Sequence, residues 1–125
     1  MREQITEGKG LNKNIINIDG ITLHIGTVHS VKGETHTATL YLETEYKKGK
    51  DIKRVLPCFY GEDANKVNNE GNVHSQSLRV SYVGFSRPTH FLCVAVNEKS
   101  LGKNLETRND IKEKIKQNGW IIIDI

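Results

Sequence analysis

A short stretch of the chain carries two hydroxyls, an imidazole and an ammonium within six residues. These belong to Thr27, His29, Ser30 and Lys32, and Gly33 follows directly. Each of these side chains can contact a phosphate oxygen, and a glycine turn exposes backbone N–H groups that do the same. A loop of this kind can bind the phosphate of a nucleotide or of DNA. From local composition alone, however, an ordinary strand-to-helix turn with a solvated lysine is the favoured interpretation, because short motifs often match by chance.

Two arginines further along the chain suggest a second phosphate contact. Residues 75–86 have apolar side chains at helical spacing, with Ser75 as a plausible cap, and Pro88 helps to end the helix. Arg79 and Arg87 are eight residues apart, just over two turns, and are expected to share a face. A fixed guanidinium at a helix end can stabilise charge in phosphoryl transfer, which is the arginine-finger role. For a lone arginine, a surface salt bridge is the favoured interpretation.

The elements before and around the loop are expected to be strands. Asp19-Gly20 separates two β-rich runs and predicts a hairpin. The second run alternates apolar and polar residues and ends near Val28, so it delivers the loop at the carboxyl end of a strand. Another β-rich run covers Thr37 to Leu42, whereas residues 43–74 give no clear assignment.

The second half of the chain reads as alternating helices and strands. The run from Phe91 to Val96 is continuously apolar, as in a strand buried on both faces. A helix is predicted within residues 101–117 and is closed by Asn118-Gly119. Residues 120–125 resemble a last strand. This order favours an α/β layered domain over residues 14–125, preceded by a flexible lead-in at residues 1–13.

Bulk properties fit one globular domain. The chain has 125 residues and a net charge of +3, which is mildly basic and only weakly indicates a nucleic-acid partner. No apolar run is long enough to span a membrane, and the first residues lack the apolar stretch of a secretion signal. The cysteines, Cys58 and Cys93, form no disulfide framework, so a reducing cytoplasm is the expected location. Cys93, within the apolar run, is expected to pack as a small hydrophobe.

Other side chains are weaker candidates. The five histidines and two cysteines match no common zinc spacing, so no metal site is expected. The basic cluster from Lys47 to Arg54 is expected to be a solvated loop, with DNA contact as the alternative. Four aromatic residues are candidates for stacking on bases, although core packing is expected for the first and third: Tyr41, Tyr46, Phe59 and Tyr60.

Both motifs together, in this order, resemble a known family. Residues 27–34, Thr-Val-His-Ser-Val-Lys-Gly-Glu, are similar to motif V of superfamily 1 DNA helicases of the UvrD/Rep type. Residues 79–87 are similar to motif VI, usually written Arg-x-x-Tyr-Val-Ala-x-Thr-Arg-Ala, and the apolar strand that follows that motif is also present. The resemblance covers roughly residues 21–97.

The resemblance implies a fold and a set of roles. The chain would be part of the second RecA-like lobe, a three-layer fold of the P-loop NTPase type with a mostly parallel sheet between helices. Arg87 would be the catalytic arginine finger, and nucleotide would be contacted by Gly33, Glu34 and Arg87. Single-stranded DNA would be contacted by Thr27, His29, Ser30 and Lys32. ATP with Mg²⁺ would be held mainly by the N-terminal helicase lobe, the expected partner.

The chain departs from the family pattern at three points. Glu34 stands one place earlier than the family's glutamate, and Pro88 replaces an alanine. The phosphate-cradling Gly-x-x-x-x-Gly-Lys-Ser/Thr loop is absent from these residues, so this chain alone is expected not to hydrolyse ATP. The Lys-Gly-Glu-Thr-His variant also resembles helicases encoded beside DNA nucleases, which adds a nuclease as an expected partner. Two alternatives stay open: a stand-alone nucleic-acid-binding domain without ATPase activity, and a degenerate lobe used as an assembly surface.

Overall fold

The computed structural model describes residues 6–7, 14–31 and 33–125. Within these ranges, five strands form two small sheets, and four α-helices accompany them, so the fold is α/β. β1 (Thr6–Glu7), β2 (Asn14–Ile18) and β3 (Ile21–Ile25) form an antiparallel sheet in that order. β4 (His36–Leu42) and β5 (Pro88–Ala95) form a parallel pair.

Helices fill the long connection between the parallel strands, as a parallel pairing requires. This connection contains α1 (Asp51–Phe59), α2 (Ala64–Asn68) and α3 (Asn72–Phe85), and α4 (Leu105–Gln117) follows β5. Short 3₁₀ turns cover Val28–Val31 and Glu98–Ser100. No helix among the described residues has the length and apolar character that a membrane span requires.

The hairpin predicted at Asp19-Gly20 is confirmed. Ile18 pairs with Ile21, and both turn residues have positive φ, 49° at Asp19 and 80° at Gly20. Two positive φ angles are typical of the turn that matches the twist of a tight hairpin. β1 lies inside the stretch expected to be a flexible lead-in, and the rest of residues 1–13 lies outside the described residues.

The core lies between the helical connection and the inner side of the parallel pair. α1 contributes Ile52, Val55, Leu56 and Phe59, which recur on one face of the helix. Tyr41 from β4, Val67 from α2 and Ile115 from α4 complete the fully buried apolar cluster. The sequence analysis gave no assignment for this segment, and α1 contains Pro57, a residue that disfavours a helix interior.

The two longer helices agree with the sequence prediction, with one correction. α4 starts at a cap formed by Asn104, whose side chain accepts from the Thr107 N–H at 2.8 Å, and it ends at Asn118-Gly119. α3 begins three residues earlier than predicted, after Gly71 at φ 132°. Ser75 is therefore not the cap. Its hydroxyl instead donates to the Asn68 carbonyl of α2 at 3.3 Å.

One face of the parallel pair is open, which contradicts the expectation for β5. The register pairs Ala38 with Phe91, Leu40 with Cys93 and Leu42 with Ala95, and we call these six residues the outer face. Leu40 is 60% exposed and Phe91 is 62% exposed. β5 is therefore buried on one face only, and Cys93 is exposed instead of packed.

The predicted last strand is not formed either. Residues 120–125 belong to no strand, although Trp120 stacks on Phe59 with ring centroids 4.7 Å apart. Ile122 packs against the core, while Ile121, Ile123 and Ile125 are exposed. Intrinsic β preference alone did not make a strand, because a strand also needs a pairing partner and none of the strands in the described ranges pairs with this segment.

Candidate functional site

The first motif forms a self-closed turn after β3. The Thr27 hydroxyl accepts from the Ser30 N–H at 3.2 Å, and the Ser30 hydroxyl donates to the Thr27 carbonyl at 2.7 Å. Both hydroxyls predicted to contact DNA are thus used to close the Val28–Val31 turn, a local pattern typical of Ser and Thr. His29 is exposed and is the side chain of this turn that can reach a ligand without breaking it.

The second half of the loop also turns sharply. Gly33 has φ +83°, a left-handed value that disfavours any side chain, and the Glu34 N–H donates to the Val31 carbonyl at 3.1 Å. Glu34 is half-buried and Gly33 is exposed. Lys32, predicted to contact DNA, lies outside the described residues.

Val28 anchors the turn to α3, the helix that carries the second motif. It is half-buried against the core, and a side chain added at Gly84 would come within 3.8 Å of it. The absence of a side chain at Gly84 therefore permits the close approach of the turn to the helix. Packing, rather than a polar contact, joins the two motifs at this point.

Arg87 is held against the end of α3. Its Nε donates to the Val83 carbonyl at 3.0 Å, and its Nη2 donates to the Ser86 hydroxyl at 3.0 Å. A guanidinium at this position satisfies a terminal carbonyl and meets the negative end of the helix dipole. Arg87 is half-buried and serves here as a C-terminal cap.

A backbone hydrogen bond brings the two motifs together. The His36 N–H, just after the first motif, donates to the Arg87 carbonyl at 3.0 Å. The Thr89 hydroxyl donates to the His36 carbonyl at 3.2 Å, and His36 pairs with Pro88 in the sheet. The first loop and Arg87 therefore lie at the same end of the parallel pair.

That end is the amino end of β4 and β5. The sequence predicted the loop at the carboxyl end of a strand, and this holds for β3, which lies in the other sheet. Open α/β sheets usually bind ligands at the carboxyl ends of their strands. The loop lies at the opposite end of β4 and β5, so this rule does not support a ligand site there. The site is defined by the meeting of a loop and a helix end instead.

Arg79 lies away from Arg87. α3 ends at Phe85, so Arg87 stands beyond the helix and the expected shared helical face is not formed. Arg79 is exposed and lines an open groove of about 640 Å³ between α2 and α3. Tyr82, 73% exposed, lines the same groove.

A polar network at the carboxyl end of β4 was missed by sequence reasoning. Asp51 is only 4% exposed, and it accepts from the Tyr41 hydroxyl and the Thr44 N–H, both at 2.8 Å. Burial and the neighbouring Asp51 carboxylate raise the pKa of Tyr41 well above its usual range. The network fastens β4 to the start of α1, and its visible signal was an aspartate at the first position of an amphipathic helix.

Glu43 makes a second connection at the same end. One carboxylate oxygen accepts from the Asn97 N–H at 3.0 Å and the Ser100 hydroxyl at 2.9 Å. The other accepts from the Lys53 N–H at 3.1 Å. Because protein groups use both oxygens, this carboxylate ties β4, α1 and the segment after β5 together, and its contacts are structural.

The remaining His, Cys, Asp and Glu residues give no metal cluster and no activated thiol in the described part of the chain. No group of three or more His, Cys, Asp or Glu residues there is arranged to hold a metal ion. Burial raises the pKa of the Cys58 thiol, with a smaller contribution from Asp63, which disfavours the nucleophilic thiolate.

Comparison of the chain with protein-family models, with curated proteins and with solved structures gives no significant match.

Proposed function

We propose that this chain is part of the second RecA-like lobe of an ATP-dependent DNA helicase of the superfamily 1 UvrD/Rep type. The observation that carries the proposal is the meeting of the two motif segments. They are far apart in sequence, yet the His36 N–H donates to the Arg87 carbonyl at 3.0 Å. A loop suited to phosphate and an arginine at a helix end thus share one end of a parallel strand pair.

The open outer face supports a larger, three-layer arrangement. Parallel strands normally have both faces covered, because their crossover connections place helices on the sheet. Here the helices of the described residues cover the inner side alone, while Leu40, Leu42 and Phe91 on the other side are about 60% exposed. A further helical layer on the outer face, with more strands beside β4 and β5, would complete a RecA-like lobe.

In this proposal the first loop contacts single-stranded DNA. Thr27 and Ser30 act by shaping the turn, since their hydroxyls already bond within it. His29 is exposed and contributes a donor, and Lys32 contributes charge. Gly33 lets the loop reverse direction, and the resemblance assigns Gly33 and Glu34 to the nucleotide.

In this proposal Arg87 donates to a nucleotide phosphate while it remains bonded to the end of α3. Its contacts within the described residues use Nε and Nη2, whereas a guanidinium has five N–H groups. The remaining N–H groups can donate to a phosphate without release of the helix cap. ATP with Mg²⁺, held mainly by the first lobe, would supply the phosphoryl group whose transfer drives lobe closure and reopening.

The direct test is substitution of Arg87 in the complete helicase that contains this chain. Arg87→Ala should lower DNA-stimulated ATPase activity about 1,000-fold, the lower range for loss of an arginine finger, with single-stranded DNA binding largely kept. Arg87→Lys keeps the charge but loses the fork geometry, so it should restore little activity.

A matched control is Lys103→Ala, which removes one exposed positive charge outside both motifs. It should leave ATPase activity unchanged. ATPase activity that survives in Arg87→Ala would count against the helicase assignment.

A stand-alone nucleic-acid-binding or partner-docking domain without ATPase activity is the second candidate. It is favoured by the cap that Arg87 forms on α3, because a capping arginine needs no nucleotide. This candidate predicts salt-dependent binding of single-stranded DNA by the isolated chain, lost in His29→Ala/Lys32→Ala. It also predicts that a partner such as a nuclease covers the outer face.

A further inference from the structure

A tight turn between β4 and α1 presents two lysines in an unfavourable backbone conformation. Glu45 and Lys50 form an antiparallel bridge, and the Tyr46 N–H donates to the Gly49 carbonyl at 2.7 Å. The two residues between them are Lys47 at φ 52° and Lys48 at φ 60°. We call residues 46–49 the basic turn.

Such a turn normally carries Asn-Gly, because both central residues need positive φ. A lysine pays a steric penalty in this region, since its Cβ approaches the following carbonyl oxygen. Here two consecutive lysines occupy it, and their like charges lie side by side. Strain of this kind persists only where the surroundings enforce it, and it is a reason to look for function.

The surroundings do enforce it. Arg54 of α1 donates from Nη2 to the Lys47 carbonyl at 2.9 Å and from Nη1 to the Ser77 hydroxyl at 3.2 Å. The Tyr46 hydroxyl donates to the Gln76 side-chain oxygen of α3 at 2.8 Å. A side chain at Gly49 would lie 2.7 Å from the Arg54 guanidinium. The basic turn is thus fastened to both α1 and α3 before any ligand arrives.

The carboxylates near the turn offset only part of its positive charge. Residues 43–54 carry five basic side chains against three carboxylates: Lys47, Lys48, Lys50, Lys53 and Arg54 against Glu43, Glu45 and Asp51. Among ion pairs between described residues, Lys50 pairs with Glu45 at 3.9 Å, while Lys47, Lys48 and Lys53 have no carboxylate partner. These three lysines are exposed.

We propose that the basic turn, together with Lys53 and Arg54, is a second contact for the phosphate backbone of single-stranded DNA. The proposal rests on the proposed function for the identity of the polyanion, but not on the loop at residues 27–34. A nucleic acid fits better than a membrane surface. Membrane binding needs apolar side chains beside the charges, and the turn's one aromatic side chain, Tyr46, is bonded to Gln76.

Arg79 extends the exposed positive charge of the basic turn along α3. Gln76, which holds Tyr46, lies three residues before Arg79, so the two side chains project from the same side of the helix. Arg79 is exposed. A single strand bound at the basic turn can therefore also contact Arg79.

The test separates charge from folding because the favoured turn sequence is uncharged. Lys47→Asn/Lys48→Gly introduces Asn-Gly, which should leave the chain at least as stable to heat as the wild type. The matched control is Lys99→Gln/Lys103→Gln, which removes two exposed lysines elsewhere. Both variants change the net charge from +3 to +1, so a general charge effect would affect them equally.

Binding of the isolated chain to a fluorescent single-stranded oligonucleotide is measured by anisotropy from 50 to 200 mM salt. Loss of two phosphate contacts should reduce the slope of log K against log salt by about 1.4 and weaken binding about tenfold at low salt. The control should keep the wild-type slope. Equal slopes and affinities in the two variants would overturn the proposal. It would also be overturned if Lys47→Asn/Lys48→Gly bound the oligonucleotide as the control does but lost binding to anionic vesicles of phosphatidylserine and phosphatidylcholine.

This outcome is independent of the ATPase test. If Arg87→Ala leaves ATPase activity intact, the proposed function fails, yet the slope difference between the two lysine variants is still measurable. If Arg87→Ala abolishes ATPase activity while the two lysine variants bind alike, only the basic turn proposal fails.

Discussion

Gly84 offers the sharpest test of how α3 is positioned. A Cβ built on Gly84 would lie 2.8 Å from both Cδ2 and Cε2 of Tyr41. The Tyr41 ring is 7% exposed, its hydroxyl donates to Asp51 at 2.8 Å, and its ring packs edge-on against Phe85 with centroids 5.1 Å apart. The ring is therefore held from several sides and cannot move aside at low cost.

Two opposing contributions set the expected effect of Gly84→Ala. Alanine favours a helix interior over glycine by about 1 kcal/mol. Overpacking a well-filled core costs about 1 to 3 kcal/mol, and the fixed Tyr41 ring favours the middle of that range. The net expectation is a loss of about 1 kcal/mol, with a fall of about 4 °C in Tm for a domain of this size.

The assay is urea denaturation of the wild type, Gly84→Ala, Tyr41→Leu and the double variant. Tyr41→Leu removes the ring, so Gly84→Ala should then stabilise the protein by about 0.5 to 1 kcal/mol through helix preference alone. The sign of the Gly84→Ala effect thus reverses between the two backgrounds. A stabilising effect in the wild type would refute the close contact between α3 and β4.

Two more predictions concern Tyr41 in the core and the exposed outer face. Burial and Asp51 raise the pKa of Tyr41 above its ordinary 10.0, so the folded state keeps the proton where the unfolded state loses it. The stability that the Tyr41 hydroxyl contributes is complete below pH 10 and is lost as pH rises towards and through the pKa of the folded state. The free energy of unfolding should therefore fall more steeply from pH 9 to 11 in the wild type than in Tyr41→Phe. Parallel curves would contradict this. On the outer face, Leu40→Thr/Phe91→Thr should reduce self-association in light scattering and change stability by less than about 0.5 kcal/mol. The inward Val94→Thr is the control that should lower Tm, and a comparable loss in the outer pair would show that these side chains are already covered.

Elements with strong local signals were predictable from the sequence. Asp19-Gly20 specifies a hairpin because both residues tolerate positive φ, and the structure has 49° and 80° there. Asn118-Gly119 ends α4 for a similar reason, with Gly119 at φ 96°. In both cases the backbone conformation depends on residues next to each other in the chain, so no knowledge of the tertiary structure was needed.

Features set by distant neighbours were not predictable in the same way. The apolar run of β5 predicted burial on both faces, but burial depends on which elements pack there, and Phe91 is 62% exposed. Likewise, the type and spacing of Arg87 suggested a phosphate contact, whereas its direction depends on the carbonyl of Val83 and the end of α3. The sequence thus singled out the two motif segments as a hypothesis, while the orientation of their side chains came from the fold.

Pro88 marks the start of β5 and so fixes Arg87 in the short connection between α3 and the sheet. A proline has no N–H to donate and is tolerated at the first residue of a strand, which is where Pro88 begins β5. The strand register shifts by one residue after this point: His36 pairs with Pro88, but Ala38 pairs with Phe91, so β5 carries one extra residue as a bulge. Two residues, Ser86 and Arg87, connect the end of α3 at Phe85 to the start of β5.

This short passage holds Arg87 at both its backbone and its side chain. The Arg87 N–H donates to the Gly84 carbonyl at 3.3 Å, its carbonyl accepts from His36, and its Nε bonds to the Val83 carbonyl. A group that stabilises developing charge across an interface works best when it is fixed before the reaction. The contacts that make Arg87 a helix cap are therefore compatible with the proposed arginine finger. The two roles differ in whether the remaining N–H groups of the Arg87 guanidinium donate to a nucleotide phosphate or to solvent. ATPase activity, rather than stability, therefore decides between them.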